Sequence, residues 1–217
     1  MNKRRIKIWL SAAAFLAVGI FLVFQLAAVP QPELLLPNAL TDSDWIKGNP
    51  DSEIVVIEYS DFQCPACAGF AELMDEMMDE FGDHIKFSYR HYPLEQLHPF
   101  AKLAAQAAEA AGQQGKFWEM HDLLFTYQAD WYFTTEEETT QALVKFAEDL
   151  SLDIDQFKND LNSQTTINAV QADLSAALKA GLYYTPTFFL NGKLIENPRT
   201  KEEFRELLRT TIENENT

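Results

Sequence analysis

Between residues 54 and 92 the chain reads strand, helix, strand, and that order leaves few folds open. Ile54–Tyr59 (IVVIEY) is a short apolar, β-branched run of the kind that forms a buried strand. Asp61–Gln63 reads as a loop, and a helix is predicted to begin near Cys64. Phe70, Met74, Met77, Met78 and Phe81 recur at helical spacing and form one apolar face, which Gly82 closes. Ile85–Tyr92 is a second strand, ended by Pro93. Such a βαβ unit is expected to pair its strands in parallel through a right-handed crossover.

The remainder extends this unit. Pro99–Ala111, Lys116–Tyr127, Glu136–Leu150, Asp155–Asn162 and Thr166–Ala180 are predicted helices. Thr187–Leu190 and Lys193–Glu196 are short strands joined by Asn191-Gly192, a strong hairpin signal. Thr200–Ile212 is an amphipathic helix with Phe204, Leu207, Leu208 and Ile212 on one face. The expected fold class is therefore α/β, a sheet domain carrying a helical insertion over about residues 97–181.

Charge divides the chain. Lys3, Arg4, Arg5 and Lys7 form a basic tip (residues 1–7), and Ile8–Val29 is 22 residues without a charge. A helical span of the hydrocarbon core takes roughly 20 apolar residues. The basic cluster is expected to stay in the cytoplasm with Trp9 at the interface, so that the rest of the chain is exported. The length of the run favours an uncleaved signal anchor over a cleaved signal peptide, whose apolar stretch is about 7–15 residues, although Ala27 and Ala28 offer a weak cleavage point. Residues 30–44 read as a connecting arm, with Leu34, Leu35 and Leu36 as docking candidates, and residues 45–217 as the folded domain.

The whole chain has net charge −16; without the tip, 13 basic residues face 33 acidic ones, a net −20. That balance excludes a general nucleic-acid binder and disfavours contact with an anionic membrane surface. A composition of 47% hydrophobic and 23% charged residues excludes a disordered chain.

The chain has only two cysteines, both in Cys64-Pro65-Ala66-Cys67. Too few for a disulfide-stapled domain or a four-cysteine metal site, they fall where strand and loop hand over to helix. Proline suits the first helical position, which makes Cys64 the N-cap, its sulfur open to first-turn N–H groups and to the positive end of the helix dipole. Both favour thiolate, so Cys64 is the expected nucleophile. Cys67, one turn on, can resolve a mixed disulfide. A purely structural bridge across so short a loop would restrict the unfolded chain little. Zinc would need further ligands, and His84, His91, His98 and His121 show no ligand spacing.

These residues carry a resemblance. Gly48-Asn49-Pro50-Asp51, Glu58 through Cys67, Tyr92-Pro93-Leu94, His98 through Ala101, Gln114 through Trp118, and Thr185-Pro186-Thr187-Phe188-Phe189-Leu190-Asn191-Gly192 together resemble the DsbA-like thiol–disulfide oxidoreductases of the thioredoxin superfamily. The resemblance spans about Trp45 to Ile212. It implies a thioredoxin fold with a helical insertion, here preceded by the transmembrane helix. It implies catalytic roles for Cys64, Cys67, Pro186 as a cis-proline, and Glu58 as a buried proton carrier. Thr185, Pro65 and Ala66 would position substrate. The residues alone would make Pro186 a trans strand-end proline and leave an exposed Glu58 open. Ala66, where some members carry a basic or polar residue, and Asp61, if close to Cys64, point to a less extreme oxidant.

The expected function is thiol–disulfide exchange with exported cysteine-containing proteins on the outer side of the cell membrane. The leading direction is disulfide formation, with a membrane quinone-linked partner for reoxidation and no cofactor or metal beyond the Cys64–Cys67 pair. A reductase or isomerase is the first alternative. A copper metallochaperone and a scaffold role for the insertion are further ones. His98 is expected to cap or pack; Trp118, Trp131, Tyr132 and Phe133 to pack in the core rather than line a groove; Glu119 and His121 to be too sparse for a metal site; and Glu136-Glu137-Glu138 to be a solvated helix start.

Overall fold

The computed structural model describes residues 38–132 and 135–215. The basic tip, the apolar stretch 8–29, Leu34–Leu36 and Phe133 lie outside them. No helix of the described residues is long and apolar enough to cross a membrane.

The strands are β1 (Ile46–Gly48), β2 (Val55–Ser60), β3 (Lys86–His91), β4 (Thr187–Leu190) and β5 (Lys193–Ile195). They form one sheet in the order β1-β3-β2-β4-β5. β2 and β3 pair in parallel, as the crossover predicts, and every other pairing is antiparallel. Asn191 and Gly192 both adopt positive φ, 47° and 74°, the backbone that a tight hairpin turn demands. Asn191 Oδ1 also accepts the Val55 N–H at 2.8 Å, fixing the hairpin against β2.

The βαβ helix is α1 (Pro65–Phe81). The insertion supplies α2 (Ala101–Gly112), α3 (Phe117–Thr126), α4 (Gln128–Trp131), α5 (Glu136–Asp149), α6 (Ile154–Leu161) and α7 (Gln164–Lys179), and α8 (Lys201–Glu215) ends the fold. Met74, Met77 and Phe81 of α1 and Phe204 and Leu208 of α8 pack on Val56, Phe87, Phe188 and Leu190. Ala176 and Ala177 of α7 cover the opposite face at Ile57, Tyr59 and Phe189. The insertion has its own core of alanines from α2 with Phe117, Leu124, Leu143, Phe146 and Phe157, and it is continuous with Phe62, Cys67 and Tyr89. The cysteine pair therefore sits at the seam between sheet and insertion.

The alanine-rich α2 lets neighbours approach closely. At Gly112 a Cβ would stand 2.4 Å from the Trp45 ring, which stacks on Phe117 at 5.0 Å. Residues 38–44, read from sequence as part of the connecting arm, lie against the domain. Asp44 receives Arg90 Nε at 2.6 Å and Nη2 at 2.7 Å, Ala39 O accepts from Arg90 Nη2, and Asn38 Nδ2 donates to Gly192 O. Thr135 and Glu138 cap α5 reciprocally, so Glu136–Glu138 form the exposed helix start expected of them.

Candidate active site

Cys64 is the N-cap of α1, extended at φ −76° and ψ 119°, with Pro65 at the first helical position. The two cysteines are separate thiols. Cys64 keeps 8% of its surface and Cys67 none, so an incoming sulfur can reach only Cys64. Pro65 and Ala66 are exposed beside it.

The same turn pushes the two thiols apart electrostatically. Cys64 is lowered from 9.0 to about 5, first by the Cys67 thiol, then by Thr185 and by the N–H groups of Cys67 and Ala66; partial burial opposes this and loses. Cys67 is raised well above 9.0 by burial, by its hydrogen bond to Cys64, and by the nearby Glu58 and Cys64 charges. As a thiol, Cys64 Sγ donates to Thr185 O at 3.6 Å, while Thr185 Oγ1 is buried without a hydrogen-bond partner. That hydroxyl is a donor free to turn to the sulfur once the sulfur is charged.

The Thr185–Pro186 bond is cis, and the loop that carries it is held from both ends. Thr187 Oγ1 donates to Tyr184 O at 2.8 Å, and Asn197 Nδ2 donates to Pro186 O at 2.7 Å. Glu58, in the middle of β2, is 1% exposed. Burial raises it from 4.5 to about 8, and its Oε1 has no partner.

The Asp61 carboxylate braces the loop before Cys64, accepting the Gln63 N–H at 2.7 Å, the Leu94 N–H at 2.8 Å and a bond from His98 Nδ1 at 2.8 Å. His98 accordingly packs and braces. The insertion grips the same loop: Phe100 N–H donates to Gln63 Oε1 at 2.6 Å, and Gln128 Nε2 donates to Phe62 O at 2.8 Å and Cys64 O at 3.1 Å. Sequence reasoning did not single out Gln63 or Gln128 as site residues, since neither side chain contacts a sulfur and both act through backbone groups.

The other candidates fall outside the site. Trp131 is fully buried in the insertion, and Trp118 packs on Phe87 at 5.5 Å. His121 is buried beside Asp122 at 2.8 Å, and burial lowers its pKa. Among the described residues no three His, Cys, Asp or Glu side chains are grouped to hold a metal ion. A cavity of about 480 Å³ between α1 and α3 is lined by Gly69, Glu72, Asp75 and His121 among others, and by neither cysteine.

A sheet of this order, a Cys-x-x-Cys pair at the N-terminus of its first helix, a facing cis-proline and a helical insertion define the DsbA-like class of thioredoxin-fold proteins. The chain belongs to the thioredoxin family: the family model Thioredoxin_4, described as thioredoxin, matches residues 40–210. BdbD from Bacillus subtilis, in its oxidised form, is similar at 25% identity and TM-score 0.67, over 77% of this chain and 92% of that one. Alpha-DsbA1 of Wolbachia pipientis superposes with TM-score 0.70 at 21% identity, over 84% and 96%. Alpha-DsbA2 of the same organism, a thiol–disulfide exchange protein, shares the fold at 16% identity and TM-score 0.66, over 80% and 87%. Among curated proteins, Na(+)/H(+) antiporter NhaA 3 of Salinispora tropica is 37% identical over 157 residues, 72% of this chain and 23% of its own length. Na(+)/H(+) antiporter NhaA 1 of Salinispora arenicola is 39% identical over 152 residues, 70% and 22%. The chain thus spans about a quarter of the length of these curated relatives.

Proposed function

We propose that the protein is a thiol–disulfide oxidase for exported proteins. The observation that carries the direction is the opposed pair of thiols, Cys64 held at about 5 and Cys67 well above 9.0. A stabilised Cys64 thiolate favours the reduced form, which makes the Cys64–Cys67 disulfide an oxidant.

A substrate thiolate attacks Cys64 Sγ, the Cys64–Cys67 bond breaks, and Cys67 leaves with the electron pair and takes a proton from Glu58. The second substrate thiolate then attacks the substrate sulfur of the mixed disulfide and releases Cys64 as a thiolate. Two electrons pass from substrate to enzyme. Pro186 and Thr185 position the substrate backbone, with Pro65, Ala66 and the exposed Tyr183 and Tyr184 as its surroundings. No cofactor or metal enters. The 22-residue apolar run and basic tip support a membrane tether with the domain outside the cytoplasm, near a membrane partner that reoxidises the pair.

Alkylation trapping in intact cells tests the direction. A predominantly disulfide Cys64–Cys67 pair is expected; a predominantly dithiol pair would make the protein a reductase or isomerase.

A further inference from the structure

Four buried polar atoms without partners lie in two adjacent rows on one face of the sheet. They are Glu58 Oε1, Ser60 Oγ, Tyr89 OH and His91 Nδ1. The parallel register sets Glu58 opposite Tyr89 and Ser60 opposite His91. Residues two apart in a strand share a face, so the four form a square behind Cys67. Each residue is at most 2% exposed. One unpaired buried polar atom is costly; four together mark a site built to hold water or protons rather than an apolar core.

The square has an inner and an outer end. At the inner end the Ser60 hydroxyl lies near Cys67, Glu58 and Tyr89, favouring the charged form of each. At the outer end His91 Nε2 meets Glu109 Oε1 at 3.0 Å, and the Tyr89 and His91 rings are 5.4 Å apart. Glu109 is the member that reaches water, with a side chain 11% exposed. It also lines a cavity of about 40 Å³ with Asp44, Trp45, Tyr89 and Asp173, room for at least one water.

We propose that Ser60, Tyr89, His91 and Glu109, joined by buried water, form the path along which protons pass between the Cys67–Glu58 pair and solvent. This rests on the thiol–disulfide exchange proposed above. When substrate attack expels Cys67 as a thiolate, the Glu58 proton moves to Cys67 Sγ through the Ser60 hydroxyl, which gives up one proton as it takes another. Glu58 is left as a carboxylate and is reprotonated from the Glu109 side through His91 and Tyr89. No electron moves along the path. The groups facing His91 are Glu109 from α2, Asp173 from α7 (accepting its backbone N–H at 2.9 Å), Arg90 beside Asp173, and, across Tyr89, Asp61, Glu58, Cys67 and His121 of α3.

The test is single-turnover reduction of the oxidised full-length protein by dithiothreitol. Formation of the dithiol, which requires Cys67 to be protonated, is followed by acid quench and thiol alkylation across the neutral pH range, in light and heavy water. Tyr89→Phe and His91→Gln are expected to slow protonation of Cys67 roughly 10-fold, below the about 100-fold of a group in direct acid–base contact, because water substitutes in part. Their melting, Cys64 titration and equilibrium with glutathione should stay as in the parent, which a merely structural defect would disturb. Glu58→Gln should be slow in either case. Folded Tyr89→Phe and His91→Gln proteins that protonate Cys67 at the parent rate, with the parent pH profile and isotope effect, would overturn the path while leaving the exchange chemistry intact. A parent protein that exchanges no disulfide would instead overturn the proposed function.

Discussion

Cys64 and Glu58 pull the pH dependence of stability in opposite directions, and the Cys64 charge of the dithiol adds to the burial that raises Glu58. Glu58 is raised from 4.5 to about 8, so the unfolded chain ionises it first. Its cost is absent below 4.5, grows as the pH rises and levels off near 8. Cys64 is depressed from 9.0 to about 5, so its contribution is fully present above 9.0 and is lost as the pH falls through about 5. It exists only in the dithiol. The oxidised protein should therefore lose stability as the pH rises, while the reduced protein regains from Cys64 what Glu58 removes. Glu58→Leu should stabilise the oxidised form by about 2–3 kcal/mol at neutral pH, with the gain shrinking towards acid. Denaturant unfolding of both redox forms across pH measures this; a gain independent of pH would refute it. At this scale the Cys64–Cys67 pair stands out in the sequence by type, whereas Glu58 was pointed to by the resemblance, the residues alone leaving its burial open. Ser60, Tyr89 and His91 do not stand out, since what distinguishes them is the register between two strands.

The long elements were readable for a different reason: α1, α5 and α7 each contain several turns of a repeating apolar pattern. Strand β1, three residues at the sheet edge, and α4, four residues, carry no period and were not foreseen. Their partners define them, β1 through pairing with β3 and α4 through Gln128 on the Cys64 loop. Helix α2 shows the same dependence on partners. Its alanines predicted a helix, but nothing in its sequence foretold the Trp45 ring on Gly112. Gly112→Ala should gain local helix propensity yet destabilise the protein by about 1–3 kcal/mol, because the ring must move off Phe117 and lose its bond to Glu109. A lowered melting temperature supports this. An unchanged or raised one would show that Trp45 relocates freely.

Across the whole molecule, sheet and insertion meet at the cysteines, and each holds part of the site. The sheet supplies Glu58 and the cis-proline loop; the insertion supplies the grip on the residues before Cys64. That division explains why a single loop can be rigid at its backbone and reactive at its sulfur. Apart from β1 and α4, the order and class of elements followed from the sequence, whereas the docking of residues 38–44 through the buried Asp44–Arg90 pair required the tertiary structure. The central claim is that Cys64 alone meets substrate, while the buried Cys67 serves only as its internal partner and leaving thiol. The most direct measurement uses a Cys67→Ala protein with its remaining thiol activated as a mixed disulfide, incubated with a reduced substrate that carries a single cysteine and resolved by mass. The account predicts a stable substrate adduct on Cys64, and none on Cys67 in the matching Cys64→Ala protein. Equal adducts on both cysteines, or none on Cys64, would contradict it.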